Sequence, residues 1–314
     1  MSPPALLGVD GGGTSTIAWL ADAEGRVLGR GRAGPSNIKA VGPEAARAAL
    51  DGSIGSAFAD AGLPVGPVAA SCLGLAGFDR PDDRRWLDDW ARGATWAGRL
   101  LLVNDGELVV AAGTLEGWGV GVIAGTGSIA VGRGPDGRTA RSGGWGPLFG
   151  DEGSGYAVAR AGLRKLARRA DGRENPPHPP GADPLAGRLC AALGIGDVSE
   201  LVSAVYREGF DRTRVAALAW CVVAAAADDP SLFAEILEPA GLDLAEMALA
   251  VARGLGRTSG PLPIALAGGF LLNSPGVASV LVRRLTGSGY EVAAMPVPEP
   301  VAGALILARR TLAP

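Results

Sequence analysis

The stretch Leu6-Leu7-Gly8-Val9-Asp10-Gly11-Gly12-Gly13-Thr14-Ser15-Thr16 carries the first decision about the fold. An apolar run from Ala5 to Asp10 ends in three glycines, and Thr16–Ala21 reads as a strand returning from that turn. A third short run, Val27–Gly31, follows turn residues near Asp22–Gly25, so the chain opens as two hairpins. An amphipathic helix over Pro43–Ala61, a strand over Val68–Gly74, a helix over Pro81–Trp96 and a strand over Leu100–Val103 complete the order β-β-β-α-β-α-β.

That order starts again at Gly119–Ala124, turns at Gly125-Thr126-Gly127 and returns as Ser128–Gly132. Strand, Gly/Thr turn and strand thus occur twice, about 115 residues apart, which predicts a duplicated unit. The second unit is interrupted by a helix-rich insertion, with helices expected near Gly155–Ala170, Leu185–Leu193, Val198–Tyr206, Arg214–Ala227 and Ser231–Leu255, and a surface loop over Asn175–Pro184. A strand Leu262–Ala267, a helix Gly276–Leu285, a strand Tyr290–Ala294 and a terminal helix Val301–Leu312 finish the chain.

Composition narrows the chemistry. The chain has 314 residues, too many for one small core, and a net charge of −3, which gives no basic footprint for nucleic acid. The longest apolar run, Val215–Ala227, is too short to span a bilayer, and the start MSPPALLGVD lacks a basic region before its apolar stretch, so a cytoplasmic protein without membrane partners is expected. Cys72, Cys190 and Cys221 are scattered and odd in number, which excludes a disulfide framework or a Cys₄ zinc site within the chain. His178, the sole histidine, lies in PPHPP and reads as a solvated loop residue, so histidine-dependent triads are not expected. Lys39 and Lys165 are the only lysines and neither follows GxxxxG, so there is no Walker A loop.

The glycine turns carry the candidate chemistry. Gly11, Gly12 and Gly13 let backbone N–H groups approach phosphate oxygens with no Cβ in the way, and the hydroxyls of Thr14 and Thr16 can add donors. Asp10 is placed to face Mg²⁺ through water, since that ion keeps much of its hydration. Gly125, Thr126 and Gly127 form the equivalent turn of the second unit, and two such turns facing each other across a cleft would hold phosphates from both sides. At Gly268 and Gly269 a buried strand ends in a turn that lets a flat adenine or its ribose approach the backbone.

The ordered series DGGGTST, LAGFDR, NDGE, IAGTGS, GGWGPLFGDEGS and LAGGF resembles the BadF/BadG-type ATPase and N-acetylglucosamine kinase family, a branch of the actin/hexokinase/Hsp70 superfamily, from about residue 6 to residue 310. The resemblance implies an α/β fold of two RNase H-like (actin-like ATPase) domains, the second with a helical insertion. Their expected bounds are 1–113, with 301–314 packed back on it, and 114–300. It implies ATP and Mg²⁺ as cofactors and a small sugar as partner, and it is compatible with a homodimer.

In such kinases a carboxylate at the end of a first-domain strand is the general base, and Asp105 in Val103-Asn104-Asp105-Gly106-Glu107 matches it. In-line attack by a hydroxyl requires loss of its proton, with positioning supplying most of the acceleration. The plain alternative for Asp105 is a carboxylate capping the next helix. By the same resemblance Asn37, Asp105 and Asp151 hold sugar hydroxyls, Ser128 reaches the sugar, and Gly144, Trp145 and Gly146 lie near its 2-substituent, Trp145 being alternatively a core aromatic. Ala225, in an Ala-rich helix, is a candidate for the adenine pocket, and Glu152 is read as stabilising a helix start rather than as a catalyst.

The reaction expected is transfer of the γ-phosphoryl of MgATP to the 6-hydroxyl of N-acetylglucosamine. Glucosamine kinase and N-acetylmuramic acid/N-acetylglucosamine kinase are the alternatives: a free 2-ammonium would want an uncompensated carboxylate, an acetyl group an apolar niche such as Trp145. An ATPase activator of a dehydratase needs a thiolate cluster that three scattered cysteines do not supply. A sugar sensor without turnover would have no need of Asp105.

Overall fold

A computed structural model describes residues 5–77, 81–174 and 181–312, the side chains of 81–84 excepted. His178, the end of the LAGFDR motif and most of the Pro-rich tract lie outside the described residues. Two compact units are present: residues 1–121 with 132–138 and 299–314, and residues 122–131 with 139–298.

The first sheet contains β1 (Leu6–Gly11), β2 (Thr16–Ala21), β3 (Val27–Ala33), β4 (Ala70–Leu75) and β5 (Arg99–Asn104), in the order β3-β2-β1-β4-β5. The short turns force β1, β2 and β3 to pair antiparallel, whereas β4 and β5, reached through helices, join parallel to β1. Side chains alternate between faces. Leu7 and Val9 pack on one side with Leu50, Ile54 and Phe58 of the helix Pro43–Asp60 and with Trp90 and Trp96. Leu6 faces the other side with Cys72, Leu108 and Val301, Ala304 and Leu305 of the helix Val301–Arg310. The chain end is therefore part of the first core. Gly31 has no alternative on β3, because a Cβ there would stand 1.9 Å from the Ser53 carbonyl of the helix packed against it.

The second sheet contains β6 (Gly119–Ala124), β7 (Ser128–Arg133), β8 (Thr139–Gly143), β9 (Gly260–Ala267) and β10 (Tyr290–Pro296). Its order, read as β8-β7-β6-β9-β10, is that of the first sheet with each number raised by five. The duplication expected from the two Gly/Thr turns is thus a duplication of topology. Strand β8 was not expected: its sequence, Thr139-Ala140-Arg141-Ser142-Gly143, offers no apolar alternation.

The insertion between β8 and β9 is helical, but two of its helices are broken. The segment expected as one helix over Ser231–Leu255 contains Pro239, which lacks an N–H and whose ring would clash with a preceding carbonyl. The chain takes a π turn over Phe233–Leu237 and restarts as the helix Glu238–Gly254 with Pro239 in its first turn. The segment over Arg214–Ala227 is divided into Arg212–Ala217 and Ala219–Ala225. Arg169, 4% exposed, ties the insertion together by pairing with Asp183 at 2.9 Å and Asp229 at 2.7 Å, each the N-cap of a helix. Removing one partner of such a buried network costs about 3–5 kcal/mol. Among the described residues no helix is long and apolar enough to cross a membrane.

Candidate active site

In the first unit, parallel pairing aligns Gly11 with Leu75 and Leu75 with Asn104, so three strand ends converge. Ligands of α/β sheets bind at such carboxyl ends. The turn after β1 is closed by Gly12 N–H donating to the Ser15 carbonyl at 3.0 Å, and it is clamped by Ser36 N–H on the Gly12 carbonyl and Ala76 N–H on that of Gly11. Gly13 and Thr14 are exposed at its tip. Thr16 departs from expectation: it is fully buried, and its hydroxyl donates to the Gly34 carbonyl at 2.8 Å, so it fastens the neighbouring loop instead of presenting a donor.

That loop carries Asn37, the N-cap of the short helix Ile38–Val41, whose Oδ1 accepts from Lys39 N–H at 3.1 Å. Its carbonyl side is thereby engaged, and donation to a ligand would fall to Nδ2. Asp105 follows β5 as the first residue of the helix Asp105–Gly113. The helix is capped by Asn104, whose side chain accepts from Gly106 N–H at 3.1 Å. Asp105 Oδ1 also accepts from that N–H, at 2.9 Å. Asn104 and Asp105 thus share one N–H at the start of this helix, each as an acceptor.

Asp10 and Asp105 interact. Burial, and then the negative charge of Asp105, push the Asp10 carboxyl up to about 7. A carboxylate in that position is stabilised by any cation that offsets the second charge, and this donor set fits Mg²⁺, which takes one or two carboxylates and fills its shell with water and phosphate oxygens. Among the described residues no cluster of three or more histidine, cysteine or acidic side chains forms a protein-only metal cage.

In the second unit the turn Gly125–Gly127 is closed by Gly125 N–H donating to the Gly127 carbonyl at 2.9 Å. The Gly268-Gly269 turn lies beside it: a Cβ on Gly125 would stand 3.9 Å from the Gly269 nitrogen, and one on Gly268, at φ +90, would strike the Ala124 carbonyl at 2.4 Å. Two of the three predicted nucleotide-binding turns are therefore neighbours, and Gly268 is the position where their approach requires glycine. The helix Gly155–Ala170 starts at the same place, Gly155 N–H donating to the Gly125 carbonyl at 2.8 Å.

Asp151 is not arranged as a sugar ligand here. It is 3% exposed and has φ +61, the one non-glycine residue with positive φ among the described residues. Its Oδ1 accepts from Ser128 N–H at 3.2 Å and its other oxygen pairs with Arg212. Ser128 is also withdrawn: it is buried, and its hydroxyl donates to the Glu152 carbonyl at 2.6 Å. Strain at a non-glycine residue persists where surrounding contacts over-determine it, and here they hold the turn. Ala225 is likewise displaced from its expected role, being completely buried at the end of the helix Ala219–Ala225, with no surface to line an adenine pocket.

Trp145 is 66% exposed, so it is not a core aromatic. With Gly143 it borders a cavity of about 550 Å³ that also meets Glu152, Asp243 and Glu246 and, of opposite charge, Arg253 and Arg284. Gly144 and Gly146 have φ +72 and +84, conformations that a side chain would strain. Burial, then the charges of Glu152 and Glu246, raise the Asp243 carboxyl above its ordinary range. Arg212 and Asp243 were not foreseen. Both lie in helices whose sequences carry no motif, and only tertiary contact brings them to the glycine loops.

The whole arrangement has relatives. Residues 7–308 match the BadF/BadG/BcrA/BcrD ATPase family. The chain is 31% identical over 268 residues, 85% of its length and 86% of the other's, to an N-acetylmuramic acid/N-acetylglucosamine kinase of Clostridium acetobutylicum. It is 33% identical over 180 residues, 54% of its length and 56% of the other's, to an N-acetyl-D-glucosamine kinase of Dictyostelium discoideum. A solved structure from Chromobacterium violaceum, described as that of a candidate N-acetylglucosamine kinase, superposes with a TM-score of 0.76 at 31% identity, over 98% of this chain and 99% of that one. With the two repeated sheets and the paired glycine turns, these likenesses make the chain a member of the BadF/BadG/BcrA/BcrD ATPase family.

Proposed function

We propose that the chain is an ATP-dependent amino-sugar kinase that transfers the γ-phosphoryl of MgATP to the 6-hydroxyl of N-acetylglucosamine, with Asp105 as the general base. The observation that carries this reading is the Asp10–Asp105 pair at the converging strand ends, where burial and then the charge of Asp105 raise the Asp10 carboxyl to about 7. The Clostridium acetobutylicum relative, named as a kinase of N-acetylated amino sugars, supports it. Asp105, anchored by Gly106 N–H through Oδ1, accepts the proton of the attacking hydroxyl. In the first unit Asn37 has an amide suited to a sugar hydroxyl, and in the second the exposed Trp145 has an apolar face suited to a pyranose. In the first unit the turn with the exposed residues Gly13 and Thr14 suits phosphoryl oxygens, as in the second does the Gly125–Gly127 turn, where Gly268 and Gly269 leave room for the nucleoside. Asp10 would hold Mg²⁺, which when bound neutralises charge on the phosphoryl group in transfer.

A second reading, glucosamine as acceptor, is favoured by one feature. The cavity beside Trp145 is bordered by Glu152, Asp243 and Glu246 against Arg253 and Arg284, three carboxylates to two guanidiniums, and the excess negative charge suits a 2-ammonium better than an acetamide. An electron-transferring activator is disfavoured, since Cys72 is buried with its thiol pushed up to about 12 by burial and the Glu107 charge, which opposes the thiolate that a cluster needs.

The deciding experiment is a coupled ADP-release assay with MgATP against N-acetylglucosamine, glucosamine, N-acetylmuramic acid, glucose and N-acetylmannosamine. A sugar-dependent rate on an amino sugar is expected, and the ratio of kcat/KM for glucosamine to that for N-acetylglucosamine separates the two readings. ADP release that no sugar raises above background would sink both.

A further inference from the structure

Arg212 begins the helix Arg212–Ala217, yet its guanidinium pairs with Asp151, a residue 61 positions earlier. Its Nη2 stands 2.5 Å from where a Cβ on Gly127 would be, closer than any other atom around that glycine. The guanidinium lies over the Tyr156 ring with 5.8 Å to its centroid, and the Nε–H is buried without a hydrogen-bond partner. The side chain is nevertheless 38% exposed.

A buried carboxylate beside a phosphate-receiving turn is an electrostatic liability. Asp151 is needed there to take Ser128 N–H and start β7, but its charge would repel the phosphates that the turn is shaped to receive. A compensating cation must be fixed, and must leave the turn's backbone open. Lysine does not supply it in this unit, since Lys165 is held between Glu174 and Glu235 at 3.1 and 2.5 Å.

We propose that Arg212 is a positioning residue of the nucleotide phosphate site: its guanidinium neutralises Asp151 and braces Gly127, so that the Gly125–Ser128 turn accepts phosphoryl oxygens without like-charge repulsion. This rests on reading that turn as a phosphate turn. Arg212 forms no bond in the transfer and moves no proton; its effect is on phosphate affinity.

The test is calorimetric titration of the full chain with MgADP and, separately, with adenosine. In Arg212→Met the MgADP affinity falls roughly ten- to hundredfold, the range of a lost charge-assisted contact, while adenosine affinity is unchanged. Arg212→Lys, which keeps charge but not the planar fork, falls between wild type and Arg212→Met. A purely structural role predicts equal losses for both ligands with a lowered Tm, and that result, or unchanged MgADP affinity, overturns the proposal. If Arg212→Met does not fold, Arg212→Lys decides: the ratio of MgADP to adenosine affinity must fall by at least about threefold, or the proposal fails. A wild-type chain that binds MgADP no better than adenosine would overturn the phosphate-turn reading together with this one. Absence of sugar-dependent ADP release in a chain that does bind MgADP would overturn the kinase reading alone.

Discussion

The two units treat their site carboxylates in opposite ways. In the first, Asp10 stands near Asp105, and burial with that second charge lifts its carboxyl to about 7. In the second, Asp151 is more deeply buried, yet it is met by Arg212 and by Ser128 N–H. One unit sets two carboxylates near one another; the other sets its carboxylate against a guanidinium. The difference fits a division of labour in which the first unit meets a metal ion and a reacting proton while the second presents a neutral, rigid turn. Among the described residues the one non-glycine with positive φ is Asp151, on the same side of the comparison, where internal bonds fix the chain.

The largest effect that would break this contrast is expected at Asp105. Asp105→Asn keeps the Gly106 N–H contact through its amide oxygen and removes the base. We expect kcat to fall by about 10²–10⁴, with KM for sugar little changed and Tm preserved. Steady-state kinetics with the preferred sugar checks it, and near-normal turnover would return Asp105 to a structural role. Next comes the pH dependence of the first unit. An Asp10 carboxyl at about 7 when folded, against 3.8 for the ordinary group, means that between those values the folded chain keeps a proton the unfolded chain has lost. Its contribution to stability is present in full below about 3.8 and is lost as pH rises through about 7. Tm measured without metal should therefore decline over that window more steeply for wild type than for Asp10→Asn. Millimolar Mg²⁺ should flatten the difference, and identical profiles for the two proteins would show that the charge on Asp10 is already balanced.

The contrast between the units also explains what the sequence could tell. The fold was legible because it depends on local signals repeated twice: apolar runs interrupted by Gly/Thr turns, which set hairpins whatever lies elsewhere. β8 was not, because a strand of Thr139, Ala140, Arg141, Ser142 and Gly143 is set by its neighbour β7 rather than by its own composition. Within the site, Gly268 was legible as a glycine position, since close backbone approach to Ala124 demands glycine there. Thr16 looks like a donor in the sequence, as any hydroxyl next to a glycine turn does, while in the structure strand parity turns it inward to Gly34. Ala225 is ambiguous in the sequence because small side chains serve equally to open a pocket and to pack helices, and in the structure it is buried. Asp151 and Arg212 illustrate the harder limit: the motif names the carboxylate, but its partner comes from a helix without one.

The smallest effect concerns the second unit's other acidic group. Asp243 lies beside Glu152 and Glu246 at the cavity next to Trp145, and burial with those two charges makes its ionised form unfavourable there. An acceptor bearing an ammonium would relieve that repulsion, whereas an acetamide would not. Asp243→Asn should then raise KM for glucosamine roughly two- to fivefold, the scale of one partly solvated charge pair, and leave KM for N-acetylglucosamine unchanged or lower. A panel of initial rates with both sugars measures the ratio directly. If KM for both sugars stays put, the acidic cavity is a solvated face of the helix Glu238–Gly254 and the acetylated sugar stands as the acceptor. If only glucosamine suffers, the second unit also leaves some of its charge for the ligand to balance, and the contrast with the first unit holds only at the phosphate turn.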